Sequence, residues 1–197
     1  MKNALVLLIA LSTSWALAQA PASQRLRGTV MSFEGGTLVL SERSGATHSL
    51  AVAENISVSE VVSIDASAIK PGTFIGTAAM PAADGTLTAL EVLVFPEAAR
   101  GTGEGHSAWD LQPNSTMTNA TIAEVTAVPQ GRTMKLRYKD GEKTVTVPDG
   151  VPIVTFRPGD KAMLVPGAKV LVTAQVRDGK PTAVRALVGK DGQAPPM

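Results

Sequence analysis

Apolar and polar positions alternate with a period of two along much of this chain. In Met134-Lys135-Leu136-Arg137-Tyr138-Lys139 every second side chain is basic, which is the pattern of a half-buried β-strand. Similar runs recur. Arg27 to Phe33, Thr37 to Ser41 and Thr47 to Val52 are separated by Glu34-Gly35-Gly36 and by Ser44-Gly45. Thr121 to Val128, Thr133 to Lys139 and Lys143 to Val147 are separated by Pro129-Gln130-Gly131 and by Asp140-Gly141. Gly-Gly and Asp-Gly between alternating runs favour tight hairpins. The pattern predicts an all-β protein.

The runs fall into two copies of one unit. Pro71-Gly72 matches Pro166-Gly167, Asp84-Gly85 matches Asp178-Gly179, and Thr88-Ala89-Leu90 matches Thr182-Ala183-Val184. Leu93-Val94 matches Leu187-Val188, and upstream Gly36 to Leu40 matches Arg132 to Leu136. In each copy three strands precede a short interruption, Asp65 to Ile69 or Pro158 to Met163, and Asp65 is placed to cap a single helical turn. A Pro-Gly turn then launches strand four and an Asp-Gly turn joins it to strand five. Three strands, a small helix and two more strands is the order of an OB-like barrel, with a flat sandwich of hairpins as the alternative. The expected organisation is two tandem OB-like barrels, residues 26–97 and 119–190, joined by a Gly-rich segment, 98–118, and followed by a C-terminal tail, 191–197.

The N-terminus reads differently. Lys2 precedes an apolar run, Ala4 to Leu11, and Ala16-Leu17-Ala18 has the small-x-small form of a cleavage site. This is a secretory signal peptide over residues 1–18; Ala18-Gln19-Ala20 is the alternative cleavage motif. No other stretch approaches a transmembrane length. The chain has no cysteine, which excludes disulfides, thiolate metal sites and cysteine nucleophiles. With 18 basic and 17 acidic residues, overall charge gives no reason to expect a nucleic-acid or membrane partner.

The joint Arg100 to Asp110, RGTGEGHSAWD, carries the candidate chemistry. Glu104, His106 and Asp110 are ligand types for a divalent metal, but their spacing matches no zinc signature, and His48 is available only by tertiary approach. The five methionines spread from Met80 to Met197 suit core filling better than copper. Lys135, Arg137 and Lys139 share a strand face, yet the only tyrosine, Tyr138, alternates onto the other face, so the stacking groove of a nucleic-acid-binding OB domain is not formed. No G-x-S-x-G elbow occurs. Trp109 and Leu111 are expected to fold back onto a barrel as anchors, with Gly101, Gly103 and Gly105 bending the chain. Trp109 and His106 are then the candidate ligand-binding residues.

Two segments carry a resemblance. Phe95 to Ala120, FPEAARGTGEGHSAWDLQPNSTMTNA, and Gly189 to Met197, GKDGQAPPM, resemble the hallmarks of an uncharacterised family of exported proteins of rhizobia and related proteobacteria. Ser107-Ala108 departs from that pattern, where relatives more often carry an aromatic and a proline. Members often bear the label "metal ABC transporter permease", which a chain without membrane helices after its signal contradicts. The resemblance implies two OB-like β-repeats and export, and no established activity. The function expected is a non-enzymatic periplasmic binding or structural module. It would be monomeric, with an envelope protein or small ligand as partner and no cofactor. The alternative is a metal-binding accessory protein using Glu104, His106 and Asp110.

Overall fold

The computed structural model describes residues 23–197; the expected signal peptide and its cleavage site lie outside them. The alternating runs form strands where the pattern places them. β1 (Ser23–Glu34), β2 (Thr37–Glu42) and β3 (Thr47–Ser63) form an antiparallel meander. β8 (Thr116–Val128), β9 (Gly131–Tyr138) and β10 (Gly141–Pro148) form a second. Both meanders bulge at the same place, between Val30 and Ser32 and between Ile122 and Glu124. The interruptions after them are single 3-10 turns, Ala66–Ala68 and Lys161–Met163. They are capped by Asp65, which accepts from Ser67 N at 2.7 Å, and by Asp160, which accepts from Ala162 N at 2.8 Å. An Asp carboxylate satisfies an orphan first-turn N–H in both copies.

The remaining strands are β4 (Phe74–Pro81), β5 (Leu87–Ala89), β6 (Val92–Val94), β7 (Gly105–Ala108), β11 (Ile153–Pro158), β12 (Lys169–Arg177) and β13 (Lys180–Gly189). They close two barrels, but not in tandem. The first circuit runs β1–β2–β3–β13–β12 and back to β1. The second runs β8–β9–β10–β5–β4 and back to β8. Each barrel therefore takes three strands from one repeat and two from the other. Within each circuit the strand order and the parallel pairing of third and fifth strands are OB-like, β3 with β13 and β10 with β5. The flat-sandwich alternative is excluded by closure, and the expected division into barrels at 26–97 and 119–190 is replaced by an exchange of strands four and five.

β3 is the cause. The sequence pattern marks Thr47 to Val52, yet the strand continues to Ser63 with no glycine or proline to turn it back. Its second half leaves the first meander, pairs with β13 and crosses to β11. β11 is the matching arm of the second copy, after a break at Asp149-Gly150. The two arms pair antiparallel about Val61 and Phe156, with Ser59 opposite Pro158 and Ser63 opposite Val154. This is the register of a pseudo-two-fold axis, and β6 extends the ladder from β11 to β4. The exchanged closures are equivalent in detail. Val30 N donates to Ala168 O and Gly167 N to Val30 O, at 2.9 and 2.8 Å; Ile122 N donates to Thr73 O and Gly72 N to Ile122 O, at the same two lengths.

Each barrel has an aliphatic core. Leu26, Leu38, Leu40, Leu50 and Val172 fill the first, and Ile75, Ile122, Met134, Leu136 and Val145 the second. A third cluster, Val61, Leu93, Val154, Leu171, Leu187 and Met197, lies where the arms cross. The segment 191–197 is thus not a loose tail: Met197 is buried, and Ser63 Oγ donates to Gln193 Oε1 at 2.8 Å.

One buried acid belongs to the ladder. Between β5 and β6, Ala78 N donates to Glu91 Oε1 at 2.8 Å and Thr77 Oγ1 donates to Glu91 O at 2.6 Å. The carboxyl replaces a main-chain acceptor where the strand breaks. Burial pushes its pKa from 4.5 up to about 8, against a smaller downward pull from Ala78 N–H.

Two predictions follow from this architecture. Trypsin cleavage at the exposed Arg100 should leave fragments that co-elute on native gel filtration, because both barrels contain strands from both sides of the cut; separate elution would contradict the exchange. For Glu91 the folded state holds a proton that the unfolded state releases between pH 4.5 and about 8. Stability should therefore fall as pH rises through that window, with a slope of up to about 1.4 kcal/mol per pH unit from this group. Glu91→Gln should remove that part of the slope in pH-dependent denaturation; identical slopes in both proteins would refute the assignment.

Candidate functional site

The joint is ordered and straps the two barrels together. β7 pairs with β8 of the second barrel, His106 opposite Thr118. The chain then turns through a tight loop built on Ser115: Trp109 N donates to Ser115 O at 2.8 Å, and Ser115 Oγ donates to Gln112 O at 2.8 Å. Asn114 takes a left-handed φ of 64° there, which asparagine tolerates better than most residues. The loop delivers Trp109 and Asp110 to β1 of the first barrel. Arg25 lies over the indole, its guanidinium carbon 3.9 Å from the ring centroid, a cation–π contact. Arg25 Nη1 and Arg27 Nη2 donate to the two Asp110 oxygens at 3.0 and 2.7 Å. Arg27 Nε also donates to Met197 O at 2.9 Å.

The metal candidates do not converge. Glu104 Oε1 accepts from Lys139 N at 3.0 Å. His106 Nδ1 shares a 2.8 Å hydrogen bond with Thr118 Oγ1, and burial, with the nearby Lys143 charge, lowers its pKa. Partial burial raises the Asp110 carboxyl, but the hydrogen bonds from Arg27 and Arg25 and their charges outweigh it and hold it below the ordinary range. His48 is on β3, 3.4 Å from Glu42 across the β2–β3 hairpin. Among the described residues no three His, Asp or Glu side chains form a group that could hold a metal. An extended β7 gives each acid a different partner, so closeness in sequence does not become closeness in space.

Trp109 and Leu111 are both half-buried and outside the three packed clusters, and the tryptophan is held against β1 by Arg25 over its ring. The tryptophan lines a cavity of about 150 Å³ at the crossing of the arms. Its apolar wall is Leu93, Phe95, Phe156, Leu171, Leu187 and Met117. Phe95 links Phe74 and Phe156, with centroids 5.2 and 6.1 Å away. Three of the four phenylalanines of the chain thus gather at one junction. Sequence reasoning missed this set, because Phe95 and Phe156 meet only through the exchange; the one available signal was the scarcity of aromatics elsewhere. His106 does not line the cavity.

Two groups on this wall lack partners. The Trp109 indole nitrogen is buried and has no hydrogen-bond acceptor. Arg185 lies on the face of Phe156, 5.5 Å from the ring centroid; it is exposed and pairs with no carboxylate among the described residues. A second groove, about 320 Å³ and more polar, runs between Ser63–Ala66 and Val147–Val151. Its cation is already engaged, since Arg132 Nη1 donates to Ala66 O at 2.6 Å. The inter-barrel cavity is therefore the candidate site.

In the chain lacking residues 1–18 Trp109 is the sole tryptophan. Its emission should be blue-shifted and poorly quenched by iodide. Asp110→Ala should shift the emission toward that of free indole, at a stability cost below about 1 kcal/mol, since the ion pairs are half-exposed. Fully quenched, water-like emission from the wild-type protein would contradict the packed loop. Compared with known proteins, the chain matches no family model, no curated protein and no solved structure.

Proposed function

We propose that this chain is a non-enzymatic binding module of the periplasm, with the cavity between its barrels as the ligand seat. The observation that carries the reading is the pairing of an aromatic and apolar wall with an exposed guanidinium, Arg185, that pairs with no carboxylate among the described residues. Such a lining is typical of small-molecule sites, where a few polar groups orient a mostly apolar ligand. Binding is favoured over catalysis by the chemistry of the wall. Guanidinium, indole, phenyl, thioether, aliphatic, hydroxyl and amide groups exchange no protons near neutral pH. The periplasmic location rests on the form of residues 1–18 and on the resemblance to an exported family.

The test is to isolate the protein natively from the periplasm of a producing cell and weigh it intact. The expected chain begins at Gln19 and carries a small-molecule mass that is lost from Trp109→Ala. A chain retaining residues 1–18 would refute the location. A wild-type chain free of adducts and unchanged in melting temperature by fractions of the cell's metabolite extract would refute the ligand seat.

A further inference from the structure

Resting on the reading of that cavity as a ligand seat, we infer that its ligand is a small organic monoanion, a carboxylate on an apolar body about the size of one aromatic ring. Three observations converge on this class. The first is charge. Two guanidiniums reach the cavity, Arg25 and Arg185, and Arg25 is already paired with Asp110. Asp110 is shared between Arg25 and Arg27, and Arg185 has no carboxylate partner among the described residues, so the cavity favours an anion over a neutral ligand. A cationic ligand would meet two guanidiniums.

The second is hydrogen bonding. The Trp109 indole is donor-only, and so is a guanidinium. The indole N–H is closed off from the cavity, so the donor on offer is the exposed Arg185 guanidinium, which pairs with no carboxylate among the described residues. Asn119, also on the wall, donates one of its two amide N–H groups to Thr102 O at 3.1 Å. A carboxylate accepts two N–H groups of a guanidinium fork at once, and charge-assisted hydrogen bonds of this kind are the stronger sort. A neutral hydrocarbon would gain no hydrogen bond from Arg185.

The third is size and surface. About 150 Å³ is room for a single ring, since an apolar cavity of about that volume accommodates benzene. Phe95 and Phe156 already stack edge-on with one another, 86° between planes, and an inserted ring extends that set.

Benzoate and its neutral counterpart benzamide are the probes, titrated calorimetrically into the full mature chain. Benzoate should bind with Kd below about 1 mM, and benzamide about tenfold more weakly. Arg185→Gln should weaken benzoate about tenfold and leave benzamide unchanged; Trp109→Ala, which removes a ring from the wall, should weaken both probes a few-fold. If benzamide binds as tightly as benzoate and Arg185→Gln changes nothing, the anion assignment fails while the ligand seat stands. If neither probe binds the wild-type chain, the ligand seat fails, and the assignment with it. Should Arg185→Gln not fold, the comparison of the two probes on the wild-type chain decides the charge question alone.

Discussion

From Thr47 to Ser63 the backbone stays extended for 17 residues, a reach of about 55 Å at roughly 3.3 Å per residue. A five-stranded barrel of this size has no use for a strand that long in one wall. The excess carries the chain out of the first barrel and commits strands four and five to the second. The matching arm of the other copy does the same, and the two arms satisfy each other's main-chain groups along the crossing. Everything at the junction depends on that pairing: the third hydrophobic cluster, the phenylalanine set and the open cavity they line.

The Gly-rich joint makes the crossing rigid from outside. It adds β7 to the second barrel and fixes Trp109 and Asp110 on the first. Arg27 ties the strap to the last residue, since it holds Asp110 with one nitrogen and Met197 O with another. Individually these surface ion pairs are weak. Their importance is geometric, because they hold the indole against the cavity with its N–H unmet.

Much of the fold was legible in the sequence. Alternation located the strands, Gly-Gly and Asp-Gly located the turns, Asp65 announced its cap, and ordered landmarks disclosed the duplication. Which copy completes which barrel was not legible. Pro71-Gly72 and Pro166-Gly167 launch equivalent strands with equivalent bonds, so no local signal distinguishes tandem closure from exchange. The only clue was negative, the lack of any turn residue after Val52. At the site, Trp109 stood out as a ring that a plain linker would not need. Its partners did not: Arg25, Arg185 and Phe156 come from other strands, and their meeting is a product of the crossing.

The exchange also nests one barrel inside the other along the chain. Every strand of the second barrel lies between Phe74 and Pro148, whereas the first is built from the two ends of the described chain, β1 to β3 and β12 to β13. The inner barrel has all its strands once Pro148 has left the ribosome or the export channel. The outer one must keep three strands open until the last two arrive, more than a hundred residues after Ser63. Contacts so distant in sequence form slowly, and open strand edges invite wrong partners. The meander that emerges first is thus the last to close, and the inner barrel is the scaffold that brings the two ends within reach.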